Sequence, residues 1–152
     1  MEKLFIQRLG VLKDLKSLVQ FNYDMALETE NKKLDIKILK KGIKKVLKRK
    51  TDAFYIVTEI KEIVIASLMI TKEWSDWKNG YYWWIQSVYV EPEYRRKGLY
   101  RKLYKKVNKI ALKSDDCCGI RLYVEKNNAI AKKTYYSLDM IESDYEIFEA
   151  KI

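Results

Sequence analysis

Between Tyr81 and Val124 the apolar pattern changes period twice, and that change limits the architecture more than any other feature of the chain. "YYWWIQSVYV" (81–90) is rich in aromatic and β-branched residues, as strands are. The only proline, Pro92, closes it. From there Leu99, Leu103, Val107, Ile110 and Ala111 recur at three and four, the spacing of one helix face, with Lys102, Lys105, Lys106 and Lys109 mostly outside the stripe. "GIRLYV" (119–124) alternates again as a strand. A strand, a helix and a strand in so short a span predict a right-handed parallel crossover.

The remaining segments fit around that unit. "KLFIQRL" (3–9) reads as a short strand. From Val11 to about Glu30, Leu12, Leu15, Leu18, Val19, Met25 and Ala26 mark an amphipathic helix, and Ile36, Leu39, Ile43, Val46 and Leu47 mark a second, with Asp35 placed to cap it. "AFYIVTEI" and "IVIASLMIT" read as two strands joined at Lys61-Glu62. Asn79-Gly80 predicts a hairpin turn, so that 81–90 runs antiparallel to the strand before it. Asn127 or Asn128 can cap a short helix carrying Ile130, Ala131, Thr134, Tyr135 and Leu138, and "YEIFEAKI" reads as a closing strand. The order is β-α-α-β-β-β-α-β-α-β. It predicts an α/β (α+β) fold: a mixed, mainly antiparallel twisted sheet with one parallel β-α-β crossover and helices on both faces. With 152 residues, the expectation is one domain over 1–152.

Composition excludes several chemistries. The chain has no histidine, which removes a Ser-His-Asp triad, His-ligated zinc and a histidine base. No apolar run reaches the roughly 18 residues of a spanning helix, so no membrane partner is expected. The start, "MEKLFIQRLG", is too short and charged for a signal peptide, and Cys117 and Cys118 are adjacent, a poor disulfide framework. Both point to the cytoplasm. The net charge of +10 suits a polyanion, or simply a lysine-rich soluble protein.

Four cations, Arg95, Arg96, Lys97 and Arg101, surround Gly98 at the start of the crossover helix. A helix N-terminus presents free N–H groups and the positive end of the dipole, and glycine lets backbone approach an anion. The turn therefore reads as a pyrophosphate cradle. The alternative is a solvated basic helix start, but cations there oppose the dipole by about 0.3–1 kcal/mol each. No G-x-G-x-x-G and no G-x-x-x-x-G-K-[ST] occurs, which disfavours a dinucleotide fold and a P-loop.

Val88-Tyr89-Val90, Pro92 and then Arg95-Arg96-Lys97-Gly98-Leu99-Tyr100 resemble the GNAT superfamily of N-acetyltransferases, whose pattern is Arg/Gln-x-x-Gly-x-Gly/Ala after a Val-x-Val-like strand end. Asn128 followed by Tyr135 resembles a second signature of that family. The resemblance implies acetyl-CoA (coenzyme A) as cofactor and no metal. It implies backbone contact to the acetyl group and pantetheine arm at Val88, Tyr89 and Val90, in a gap where the fourth and fifth strands splay. It implies pyrophosphate binding at Arg95, Arg96, Lys97, Gly98, Leu99, Tyr100 and Arg101, contact of Asn128 with the arm, and Tyr135 as the acid that protonates the departing thiolate. Spacing alone also allows Tyr135 a packing role. Tyr100 stands where the family has Gly or Ala, so its phenol is expected to point away from the phosphates. Asp139-Met140 stands where a Gly-Phe pair is common.

For the acceptor, Asp24, Glu28 and Glu30 cluster at a helix C-terminus, where carboxylates are disfavoured, and Glu73 and Asp76 lie among Trp74, Trp77, Trp83 and Trp84. Acids and aromatic faces suit a cationic amine. About half of the tryptophans are assigned to packing, in the core or at a homodimer face. Gln86 and Ser87 lie near the expected acetyl position, and Glu28, Glu30 and Glu73 are candidate bases. The resulting expectation is acetyl transfer to a primary amine of a small cationic molecule. The alternatives are a protein or peptide N-acetyltransferase, a non-catalytic acyl-CoA-binding domain, or a nucleic-acid-binding module, the last disfavoured because the cations concentrate at one helix start and no RNA-binding signature appears.

Overall fold

Ile6–Leu9 (β1), Phe54–Ile60 (β2), Ile63–Ser75 (β3), Gly80–Val90 (β4) and Cys117–Leu122 (β5) lie in one sheet in chain order, in a computed structural model that describes residues 4–152. The first four strands are antiparallel neighbours; β4 and β5 are parallel. The helix between that parallel pair, α3, spans Leu99–Leu112. Helices α1 (Leu15–Glu30) and α2 (Ile36–Leu47) precede β2, and α4 (Ala129–Tyr136) follows β5. Chain contacts divide the molecule into two compact units, Met1–Leu122 and Tyr123–Ile152. The first holds the sheet and α1–α3; the second holds α4.

Alternation along the strands explains how the sheet is covered. Leu18 and Phe21 of α1 and Ile43 of α2 form one buried cluster with Tyr55, Val57, Val64 and Tyr89. The intervening residues Ile56, Leu68, Ile70 and Ile85, paired as Ile56↔Leu68 and Ile70↔Ile85, are buried on the opposite face. There α3 packs, with Leu103 and Val107 wholly buried. Buried on both faces, β2 and β3 are nearly continuous apolar runs, and the helices on either side are amphipathic with lysines outward.

Local signals act as their chemistry requires. Asp35 caps α2, its carboxylate accepting from the N–H groups of Lys37 and Ile38 at 2.8 and 3.1 Å. Lys61 and Glu62 turn β2 into β3 with φ of 50° and 65°, and β3 meets β4 antiparallel around Asn79 at φ 48°. Arg8 of β1 donates to Glu59 of β2 at 2.8 Å and to both oxygens of the buried Asp14. Burial alone would raise the Asp14 carboxyl; hydrogen bonds from Arg8 and the Val11 N–H outweigh it and hold it below its usual range.

Three expectations need correction. The α-helix after Pro92 does not begin there: Pro92–Tyr94 is a single 3-10 turn, and α3 starts only at Leu99, because Arg96 and Gly98 take positive φ (62° and 72°) and break the helical path. The first helix likewise opens with a 3-10 turn, Leu12–Asp14. The closing strand is absent: residues 145–152 form no strand and are exposed throughout. Their alternation fits a strand, but a strand needs a ladder partner, and their unit contains no other strand. Lys3, the expected start of the first strand, lies outside the described residues. Among the described residues no helix is long and apolar enough to cross a membrane.

Candidate active site

The bulge in β4 sets the geometry of the candidate site. Ser67 pairs with Tyr89 but Met69 pairs with Gln86, so Ser87 and Val88 together face Leu68, and Ser87 carries φ 52°. A non-glycine residue at that φ is uncommon, and bulges recur beside active sites, where they re-aim the strand. On its other side β4 pairs with β5 only as far as Ile85↔Leu122. Residues 86–90, which include Val88, Tyr89 and Val90, therefore lie beyond the last ladder pair, with a backbone edge on which an extended ligand can hydrogen-bond.

Eight residues beyond Val90 the chain reaches Gly98, at the N-terminus of α3. Gly98 is the N-cap, and no side chain caps the helix. The first helical hydrogen bond runs from the Lys102 N–H to the Gly98 carbonyl at 3.1 Å, which leaves the N–H groups of the first turn directed outward. A Cβ built on Gly98 would meet nothing within 4 Å. The turn is thus an open, uncapped helix start with Arg96 and Lys97 exposed on it. These features fit a phosphate-bearing ligand whose extended arm lies along β4.

Arg95 is placed differently from its neighbours. Its Nε donates to the Val90 carbonyl at 2.9 Å and its Nη2 to Glu28 at 2.9 Å, while the guanidinium carbon lies 5.5 Å from the centre of the Tyr89 ring. Tyr89 is buried and stacked on Phe21 at 4.9 Å. Burial and the charges of Glu28, Glu91 and Asp24 push its phenol up. Burial, then the nearby Asp24, Glu93 and Glu28, likewise raise the carboxyl of Glu91 against the lowering effect of Arg95. Asp24 and Glu28 of α1 and Glu91 at the end of β4 thus form one acidic patch around a buried tyrosine.

The aromatic hairpin does not join that patch. Trp74 is opposite Tyr81 at the far end of the β3–β4 pair, eight residues from Tyr89, or roughly 26 Å of strand. Trp74 and Trp77 are exposed, and Asp76 accepts from the Trp77 N–H. Glu73 is engaged by Arg121 at 3.0 Å and by the Trp84 indole at 3.2 Å, and Gln86 donates to Thr71 at 2.7 Å. Glu30 ends α1 exposed. In the second unit Asn128 caps α4, its Oδ1 accepting from the Ala131 N–H at 3.0 Å, which leaves its amide nitrogen to donate. Tyr135 is on α4, and burial raises its phenol above the usual 10.0.

A family model described as the acetyltransferase (GNAT) family matches residues 12–140. The chain belongs to the GNAT acetyltransferase family. Membership makes it an acetyl-CoA-dependent acetyltransferase. The crystal structure of a possible acetyltransferase from Clostridium difficile 630 shares 45% identity over 99% of both chains with a TM-score of 0.91. The fold is shared at 13% identity with AAC(6')-Iy in complex with a bisubstrate analogue, CoA-S-monomethyl-acetylneamine (TM-score 0.77, 98% of this chain and 99% of the other). It is shared at 11% with a ribosomal-protein-alanine N-acetyltransferase from Brucella melitensis biovar Abortus 2308 (TM-score 0.79, 98% and 99%). No curated protein matches the chain in sequence at a significant level.

Two departures from the GNAT pattern have visible local consequences. The Tyr100 hydroxyl oxygen is buried and its ring lies 6.5 Å from that of Tyr104, so the phenol turns into the protein rather than over the helix start. Asp139, where glycine is common, holds φ 61° just after α4, the left-handed position that favours glycine. Sequence reasoning missed Glu91 and the strain at Ser87. The signal for Glu91 was its position, between the Val88-Tyr89-Val90 step and Pro92; no residue type announces a left-handed serine.

Proposed function

We propose that this GNAT protein transfers acetyl from acetyl-CoA to a primary amine of a small cationic molecule. The acidic patch of Asp24, Glu28 and Glu91 around Tyr89, in a chain of net charge +10, carries that reading. Among the described residues only Glu28 of the three carboxylates is in an ion pair, with Arg95, and a cationic acceptor would balance the others. A neighbour with the same fold, AAC(6')-Iy, is an aminoglycoside N-acetyltransferase, which supports a small-molecule amine.

Bound acetyl-CoA supplies the acetyl group as an activated thioester. Arg96, Lys97 and Arg101 and the first-turn N–H groups of α3 would hold its phosphates, and the edge of Val88–Val90 its extended arm; the family resemblance assigns Asn128 to that arm. Glu91 takes a proton from the ammonium of the acceptor, directly or through water, because its raised carboxyl makes it a better base near neutral pH than an ordinary carboxylate. Glu28 and Asp24 pair any second positive charge. Tyr135 stays protonated well above neutral pH, and the family resemblance gives it the role of protonating the leaving sulfur. The new C–N bond would form as the C–S bond breaks; of the two protons the nitrogen loses, Glu91 takes the first, and the second replaces the one that Tyr135 gives to the sulfur.

Protein or peptide amines are the second reading, supported by the ribosomal-protein-alanine neighbour. The exposed Trp74 and Trp77 offer an aromatic face for a homodimer. The free, adjacent Cys117 and Cys118 suit the cytoplasm. A thiol-release screen with acetyl-CoA against diamines, monoamines, amino acids and peptides tests the proposal: diamines should lead. Peptides leading would transfer it to the second reading, and no release from any of them would reject the enzyme reading.

A further inference from the structure

A cavity of about 540 Å³ opens in the sheet-bearing unit at the end of α3 remote from Gly98. Ile110 lines it, twelve residues beyond Gly98 and so roughly 18 Å away along the helix. The volume lies within the range of small-molecule sites, about 300–1,000 Å³. Its walls are apolar, with Leu9, Leu47, Phe54, Trp83 and Ile110, and Phe54 meets the Trp83 ring edge-on at 5.4 Å.

Its charged groups are all of one sign, beside the neutral Thr51, Tyr55 and Ser114. Among the described residues Arg49, Lys72 and Lys113 line it and no carboxylate does. Among the described residues none of the three is in an ion pair. Lys72 Nζ is held 5.4 Å above the Trp83 ring, which keeps one cation at the wall rather than out in solvent. Among the described residues the indole N–H of Trp83, a residue 3% exposed, is buried with no acceptor. A buried donor in that state carries a desolvation cost that an acceptor in the cavity would remove.

We propose that this cavity binds a small organic carboxylate with an apolar body, the body between Leu47, Phe54 and Ile110 and the carboxylate among Arg49, Lys72 and Lys113. A cationic ligand is opposed by the sign of the lining. A neutral apolar ligand leaves three cations unanswered. A bare inorganic anion gains nothing from the aromatic and aliphatic walls. The site is separate from both the cofactor edge and the acidic patch, and it does not depend on the identity of the amine acceptor.

The test titrates the full chain with 4-phenylbutyrate and with 4-phenylbutyramide, the same body without the charge. Binding is followed through the indole ¹H–¹⁵N resonance that Trp83→Phe deletes. The acid should shift that resonance saturably, with or without saturating CoA, and bind at least about tenfold tighter than the amide. An Arg49→Gln/Lys113→Gln double variant changes only exposed side chains. It should reduce the affinity for the acid toward that of the amide, the remainder resting on Lys72, and leave the KM for acetyl-CoA unchanged. The proposal is overturned by the absence of a saturable shift with the acid, by equal affinity of acid and amide, by displacement with CoA, or by a double variant that binds the acid like the parent.

Discussion

Arg95 Nη2 lies 2.9 Å from one carboxylate oxygen of Glu28 and 3.2 Å from the other, and this pair ties the turn before α3 to the last turns of α1. The arginine that opens the sequence proposed to bind phosphate is thereby turned toward the side proposed for the amine acceptor. Opposite effects on the acceptor should follow. Glu28→Gln removes negative charge and should raise the KM for a diamine. Arg95→Gln removes the competing cation and should lower it. Each change should be no more than about fivefold, because exposed ion pairs are worth about 1 kcal/mol at most. The KM for acetyl-CoA should stay nearly constant in both. A large rise in that constant with Arg95→Gln would return the side chain to the phosphates.

Gly98→Ala tests the helix start. The new Cβ meets no protein atom, so any loss of packing is excluded. The φ of 72° costs a residue with a Cβ about 1–2 kcal/mol, so thermal stability should fall modestly. The KM for acetyl-CoA should rise by about tenfold or more, because the methyl enters the space proposed for phosphate. A variant that loses stability and keeps that constant would place the phosphates elsewhere.

Tyr135→Phe keeps the ring and removes the proton. Acid catalysis of this kind contributes about 10²–10⁴-fold, so kcat should drop within that range while CoA still binds. Because burial raises the phenol above 10.0, the parent should show little loss of activity from Tyr135 ionisation below about pH 9. An unchanged kcat, with chemistry limiting the rate, would make Tyr135 a packing residue.

Much of the fold was legible because its signals are local. Asp35 caps α2, Lys61-Glu62 and Asn79-Gly80 turn the strands, and the stripe through Leu103 and Val107 marks the buried face of α3. The failures concern partners that lie far away in sequence. The alternation at Tyr145 and Ile147 could not tell that no strand would pair with it. Glu28 and Trp74 look alike as acceptor residues in sequence, yet only Glu28 reaches Tyr89. Glu91 gains its raised carboxyl from burial and from Asp24, a residue 67 positions earlier in the chain.

Asp14 should govern acid stability. Its carboxyl is held below the usual range in the folded state, so the stability it contributes is present above the unfolded value of about 3.9 and is lost as pH falls through the lower folded value. Asp14→Asn leaves Arg8 with Glu59 alone and should cost about 3 kcal/mol at neutral pH. Denaturant titration at pH 7 and pH 3 should show the gap between parent and variant narrowing in acid. A constant gap would mean the effect comes from packing rather than charge.

The central claim is tested most directly by initial rates of thiol release from acetyl-CoA, with a diamine and a monoamine of equal chain length, in the parent and in Glu91→Gln. The parent should favour the diamine in kcat/KM by about tenfold or more, with an acid limb set by the raised carboxyl of Glu91. Glu91→Gln should lose that limb, most of the turnover and part of the preference. Equal rates for the two amines in the parent, or a Glu91→Gln variant with the parent's rates and pH profile, would contradict the account.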